Sequence, residues 1–402
     1  MSERFDEMRT TPSTLAGSTI LQIVPSLRDE VSARAAIDVA HTLLQAGARA
    51  MVAGSDGPLV DELKTYGGEW VSLASETISP FARKRNVGIL QNVIGSEHVD
   101  IVHAHCPSVA ENARRAAARI AIRLVTSLPD APPATPRELA RSAILTRSDR
   151  IIAPSAYAAN SFIERFAVER EQITIIPRGI DIARFDPRSV PAGRIAALRQ
   201  AWQIVPDDRI VLTPGRVAPW NGQILLPDIA RLLADSRHRR MIFLIVGENR
   251  VHRRYARSVF EHAKALGVVA SFRITGHCPD LPAAFALADV VVVPSTDPPV
   301  LGSVVAQAQS MGRPVVTSNV GVLPELVVVP PHLPEEVRTG WVATAGDVNE
   351  FARMLNLALS LDDTSYRAMS ARARQFAEYM FSSESTSAAT RAVYAALLDR
   401  NR

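Results

Sequence analysis

Four groups of residues in this chain have the types and spacing to do chemistry. The first is the turn into a helix at Gly302 and Ser303, which follows Val290, Val291, Val292, Val293, Pro294 and Ser295. A helix N-terminus presents free backbone N–H groups and partial positive charge, so it suits a phosphate. The second is Arg216, directly after Gly215 at the end of an aliphatic run. A guanidinium there can grip a phosphate at two points or pair with a structural carboxylate, and its place at a strand end favours the phosphate. The third is His103, His105 and Cys106. A His-x-His-Cys set could ligate zinc, but no further ligand motif follows. The plainer reading is a loop at the carboxyl edge of a sheet, where open α/β sheets take ligands. The fourth is a set of basic clusters: Arg83, Lys84 and Arg85; Arg114 and Arg115; Arg237, Arg239 and Arg240. Solvated faces are their ordinary explanation. Contact of the first two clusters with an anionic bilayer, at about 1 kcal/mol per basic residue, is the alternative.

These groups need strands and helices to hold them. The four valines read as a strand buried on both faces, the habit of a central parallel strand. A helix is expected over 303–311, stopped by Gly312, with the next strand starting at Pro314. Upstream, strands are expected over 19–25, 50–53, 99–103 and 124–127. A helix over 33–46 places Ile37, Ala40, Leu43 and Leu44 on one face and ends at Gly47. Ser155 is expected to cap a helix running to residue 166. A second sheet opens at 208–216 and continues at 241–247 and 339–342. Helices are expected over 195–202, 281–288, 351–361, 366–380 and 387–398. Strands alternating with helices indicate doubly wound parallel sheets. At 402 residues, two or three domains are expected. The expected division is a tail over 1–18, a first domain over 19–186, a linker over 187–207, a second domain over 208–380, and a closing segment over 381–402 that packs back on the first.

Composition removes several classes. Hydrophobic residues make up 47% of the chain, enough for real cores. No apolar run approaches the ~20 residues of a transmembrane helix. Residues 1–18 are polar and lack the apolar core of a signal peptide. Cys106 and Cys278 give no disulfide framework, which points to a reducing cytoplasm. The net charge of +4 is mild, and aromatics, at 5%, do not interleave with the basic clusters. A nucleic-acid partner is therefore not expected.

The stretch from Pro294 to Val316 resembles the signature of retaining glycosyltransferases of family 4. These have the GT-B fold, an α/β architecture of two Rossmann-like domains facing across a cleft. Pro294, Ser295, Gly302, Gly312, Pro314, Val315 and Val316 fall in register with it. The two signature carboxylates do not: Pro299 and Gln307 stand in their positions. Residues 173–186 resemble the family's Pro, Asn or Arg, Gly, Val or Ile, Asp motif that closes the first domain. Gly215, Arg216 and Gly222 resemble its diphosphate clamp, with Asn221 where the family has Lys. Asparagine can donate a hydrogen bond but cannot neutralise a charge. Gly247 and Glu248 match part of a Gly-x-Gly turn. Arg28, Asp29, Glu30 and Val31 replace the family's paired-glycine loop. A loop over 128–136 with four prolines and no histidine replaces one that usually carries His.

The resemblance covers nearly the whole chain after the tail. It implies a nucleotide-sugar donor (UDP-, GDP- or ADP-linked) held through Arg216, Asn221, Glu248, Gly302, Ser303 and Gln307. It implies a glycan or lipid-linked acceptor near His103 and His105. Hexosyl transfer in envelope polysaccharide or lipopolysaccharide synthesis follows, in the cytoplasm or peripherally at the inner face of the membrane. No cofactor is implied, and no metal, since no Asp-x-Asp motif occurs. The five substituted places imply weak or absent turnover. A non-catalytic protein that partners or scaffolds an active transferase is therefore the alternative. A sugar-nucleotide epimerase on a similar fold is the third reading, without an acid–base pair to carry it.

Overall fold

The computed structural model describes residues 15–28, 31–74, 79–118, 120, 122–129, 133, 135–234, 240–330 and 335–399. Residues 1–14, Asp29, Glu30, much of the proline loop, Arg237 and Arg239 lie outside the described residues. The chain forms two compact units, one of Met1–Gly179 with Ser383–Arg402 and one of Ile180–Ser382.

The first unit is built on seven strands: β1 (Thr19–Ser26), β2 (Arg49–Ser55), β3 (Glu69–Ser72), β4 (Ile101–Ala104), β5 (Arg123–Ser127), β6 (Arg150–Ala153) and β7 (Ile173–Ile175). They pair in parallel in the order β3-β2-β1-β4-β5-β6-β7. The helix Val31–Gln45 buries Ala33, Ala36, Ile37, Ala40 and Leu43 in the core, an i, i+3, i+4, i+7 stripe. Gly47 ends it in the left-handed region at φ 75°. Ser155 caps the helix Ala156–Phe166 by accepting from the Ala158 N–H at 3.0 Å.

The second unit has six strands: β8 (Arg209–Pro214), β9 (Met241–Val246), β10 (Phe272–Gly276), β11 (Val290–Val293), β12 (Val315–Ser318) and β13 (Gly340–Ala343). Their order is β10-β9-β8-β11-β12-β13, again parallel. The four valines form a central strand. Val291 enters one core and Val290 and Val292 the core on the other face, so a β-branched side chain is useful at every position. The helix Ser303–Ser310 follows, and Gly312 turns out of it at φ 64°.

Each sheet has one switch point. The first half of each connection series runs one way from β1 or β8, and the next strand returns to its other side. The switch points are β1/β4 and β8/β11, where open α/β sheets leave a crevice at their carboxyl ends.

The domain limits differ from those expected. The chain passes between units at Gly179 and Ile180, well before the expected linker. Residues 187–207 belong to the second unit: Val190 and Ile204 are buried in its core. The helix Ala192–Ala201 is pinned by an Arg194–Asp280 ion pair. A short helix with few buried residues reads as a linker, and only its long-range partners reveal where it belongs. At the other end, Phe381 and Ser382 stay in the second unit. The helix Ser383–Asp399 supplies Val393, Tyr394 and Leu397 to the core of the first. Residues 15–18, expected in the tail, belong to the first unit, because Leu15 is buried and its carbonyl accepts from Ser18 Oγ at 2.6 Å. Among the described residues, no helix is long and apolar enough to cross a membrane.

Candidate functional site

A cavity of about 130 Å³ opens at the β8/β11 switch point, entirely within the second unit. Thr213 and Gly215 line it from the end of β8, Ser295 from the end of β11, Gly302 and Ser303 from the next helix, and Asn221 from the loop after β8. Whole small-molecule sites run to roughly 300–1,000 Å³, so this cavity suits one phosphate-sized part of a ligand. The helix Ser303–Ser310 starts from Gly302 with no side chain capping it. Its first bonded amide is Val305, which donates to the Gly302 carbonyl at 2.9 Å. The N–H groups of Ser303 and Val304 are therefore left to the cavity, with the positive end of the helix behind them.

The loop that carries Asn221 is held against the β11 end. The Thr296 N–H donates to the Trp220 carbonyl at 3.0 Å. Gly222 sits at φ 67°, and a Cβ there would lie 1.9 Å from the Pro294 carbonyl oxygen, so only glycine fits. Gly247 is held as tightly: its Cβ would meet the Gly215 oxygen at 1.8 Å. The side chain of Asn221 turns inward, and its Nδ2 donates to the Arg216 carbonyl at 2.7 Å. Gln223 Nε2 donates to the same oxygen at 2.9 Å. The Arg216 guanidinium itself is exposed and makes no ion pair among the described residues.

The six donor-side residues named from sequence thus separate. Asn221, Gly302 and Ser303 line the cavity. Arg216 is beside it in the chain, after Gly215. Gln307 is half-buried one turn further along the helix, and Glu248 accepts from the Arg250 N–H while its own carbonyl receives the Val217 N–H at 3.0 Å. Neither lines the cavity. Ser295, part of the Pro-Ser signature, also lines the cavity, and so does Thr213, which no motif marks. A lone threonine inside the aliphatic run of β8 was the available signal.

In the first unit His103 falls in a strand, as the expected strand 99–103 implied, but both it and His105 are buried rather than set in a loop bordering a crevice. His103 lies within β4 and is buried. Its Nδ1 is 2.7 Å from Tyr394 Oη and its Nε2 is 2.9 Å from Ser127 Oγ, so both ring nitrogens are used. Burial, with the Arg178 charge adding to it, lowers its pKa to about 3. His105 follows the strand, with its ring 4.0 Å from that of His103. Gln22 Nε2 donates to the Ala36 carbonyl at 2.9 Å, so its Oε1 must accept the His105 Nε2–H across 2.8 Å. Nδ1 of His105 therefore carries the lone pair, and it has no partner. Burial first, then His103 and Arg178, hold this ring neutral too. Ser26 Oγ, at the end of β1, is likewise buried without a partner. The zinc alternative finds no support in this geometry: His103 has no free nitrogen. Among the described residues, no group of three or more His, Cys, Asp or Glu side chains could hold a metal.

Residues 32–184 match the family described as Glycosyltransferase Family 4, and residues 195–376 match Glycosyl transferases group 1. A D-inositol 3-phosphate glycosyltransferase of Nocardia farcinica is 31% identical over 198 residues, 48% of this chain. The aligned part spans only 42% of that relative's length. A glycosyltransferase structure from Rickettsia africae superposes with a TM-score of 0.79 at 21% identity, covering 95% of this chain and 98% of that one. The Anabaena Alr3699/HepE structure in complex with UDP gives a TM-score of 0.73 at 20% identity, covering 94% and 100%. These likenesses show the GT-B type of fold, two parallel-sheet α/β units.

Proposed function

Taking the chain as a glycosyltransferase of the family 4 and group 1 type, we propose that its second unit binds a nucleoside-diphosphate sugar and that it transfers the hexosyl group to a glycan or lipid-linked acceptor held by the first, in envelope polysaccharide or lipopolysaccharide synthesis. The observation that carries this is the cavity at the β8/β11 switch point, phosphate-sized and faced by the open helix N-terminus at Gly302 and Ser303. As the glycosidic bond to the donor breaks, negative charge grows on the departing diphosphate. The Ser303 and Val304 N–H groups are fixed in place and need no reorganisation to meet it. The exposed Arg216 guanidinium supplies the cation. Transfer then runs on the front face with retention. The HepE structure holds UDP, which makes a uridine nucleotide the first donor to try. On the acceptor side the reading leaves both His103 and His105 as buried residues of the first unit, His105 keeping an unpaired Nδ1.

Calorimetry with UDP-, GDP- and ADP-sugars, followed by assay of sugar release and transfer, tests this. Micromolar binding of one donor with turnover is expected. Absence of any nucleotide binding up to millimolar concentration removes the reading. A second reading, a non-catalytic partner or scaffold of an active transferase, is favoured by one observation: the Asn221 amide is committed to the Arg216 carbonyl, and Pro299 and Gln307 offer no carboxylate. Binding without turnover selects it.

The same proposal sets the protein at an anionic membrane surface through the helix Pro80–Ser96. Phe81 is 86% exposed, and Lys84 and Arg85, also exposed, share its face at i+3 and i+4. Gly88 continues that face with open space around it. Flotation with vesicles containing anionic lipid is expected to carry the protein, and Phe81→Ser with Lys84→Glu to abolish it. Equal flotation of this variant refutes the assignment.

A further inference from the structure

We propose that Thr213 is a ligand contact, its hydroxyl donating to a phosphoryl oxygen in the cavity; this rests on the donor-site reading above. Thr213 is the one polar side chain between the aliphatic Ile210, Val211 and Leu212 and the turn at Pro214 and Gly215. It is 2% exposed, and its Oγ1 has no hydrogen-bond partner. Ser26 Oγ at the end of β1 is the other strand-end hydroxyl buried without a partner, whereas two more are satisfied. Ser318 Oγ donates to the Ser295 carbonyl at 2.7 Å, and Thr126 Oγ1 is 2.9 Å from Ser148 Oγ. A valine would fill the same space on β8 without burying a lone hydroxyl, so the fold gains nothing from the oxygen.

The place of Thr213 in the cavity wall is the ground of the proposal. Thr213 lines the same cavity as Gly302 and Ser303, whose helix start offers N–H donors but no protein acceptor. An anion seated there accepts from the helix N-terminus on one side and can accept from Thr213 on the other. The site then supplies a donor from each strand-to-helix connection of the switch point. With Asn221 turned away, this neutral donor does part of what a second cation would do. A hydrogen bond to a charged acceptor is stronger than one to a neutral group, and most so where water is excluded.

Thr213→Val in the full chain tests this, with Thr213→Ser as the conservative control. The melting temperature without ligand is expected to be unchanged or higher by about 2–4 °C, since an unpaired buried hydroxyl is removed. Dissociation constants for UDP and for inorganic pyrophosphate are expected to rise about tenfold or more in Thr213→Val and to recover in Thr213→Ser. A lower melting temperature for Thr213→Val means that the hydroxyl serves the fold and overturns the proposal. So does unchanged affinity for both probes, a result that leaves the glycosyltransferase reading intact. Wild-type binding of pyrophosphate but not of any nucleotide, weakened in Thr213→Val, upholds the Thr213 contact and removes the nucleotide-sugar reading instead. Wild-type protein that binds neither probe ends both.

Discussion

Tyr394→Phe removes one oxygen and leaves the ring where it is. Tyr394 is fully buried, and its hydroxyl lies 2.7 Å from His103 Nδ1, which is buried in turn. No cavity large enough for water opens, so His103 Nδ1 loses its partner with nothing to replace it. Whichever tautomer is present, a buried polar nitrogen is then orphaned, at a cost of about 1–3 kcal/mol. Ser127 Oγ still meets the other nitrogen at 2.9 Å, so the ring has no reason to turn. Amide hydrogen exchange reports this locally. Amides of β1 and β4 should exchange roughly 5- to 150-fold faster in the variant, the equivalent of 1–3 kcal/mol in opening free energy. Amides of β8 and β11, in the other unit, serve as the internal control. If β4 exchange is unchanged, the Tyr394–His103 bond contributes nothing and the assignment of His103 to the core is wrong.

Three further outcomes follow from the same geometry. His103 has a folded pKa of about 3 against an ordinary 6.5, and His105 is also held well below it. Between these values the unfolded chain binds protons that the folded chain does not, so stability rises with pH and is lost on acidification from pH 6.5, by up to ~1.4 kcal/mol per pH unit per histidine. Urea melts of the first unit at pH 6.5, 5.5 and 4.5 should show the slope, and a flat profile contradicts the buried neutral rings. Asn221→Lys gives up one bond to the Arg216 carbonyl, which Gln223 still satisfies at 2.9 Å. By adding a cation beside the cavity, it should tighten UDP binding by about tenfold or more, at roughly 1.5–3 kcal/mol per charge-assisted contact. Calorimetry showing no gain would falsify the clamp geometry. Gly222→Ala forces a Cβ to within 1.9 Å of the Pro294 oxygen at a φ of 67°. The loop must move, so the second unit should lose at least ~1 kcal/mol and UDP binding should fail, both readable by thermal melts with and without nucleotide.

Much of the fold was legible because its signals are local. Val290 to Val293 announce a central strand, since only burial on both faces tolerates four β-branched apolar residues in a row. Gly47 and Gly312 mark helix ends because each occupies a left-handed position. The helix start at Gly302 was also readable, lying a short loop after the strand that ends at Val293. The stretch from 187 to 207 was not, because its partners, among them Asp280 for Arg194, are far along the sequence. The committed state of the Asn221 amide was equally hidden, since its acceptor is a backbone carbonyl set by the turn at Gly222.

The residues alone determined that two parallel α/β sheets would form and that a helix of the second would start at Gly302, because strand burial and helix termini depend on neighbours a few positions away. Only the folded chain decided which polar atoms are spent and which remain available. His103 is used up by Tyr394, 291 positions later, while His105 Nδ1 and Thr213 Oγ1 are buried unpaired. Hydrogen bonding between distant segments is a property of packing, and no local pattern in the sequence encodes it.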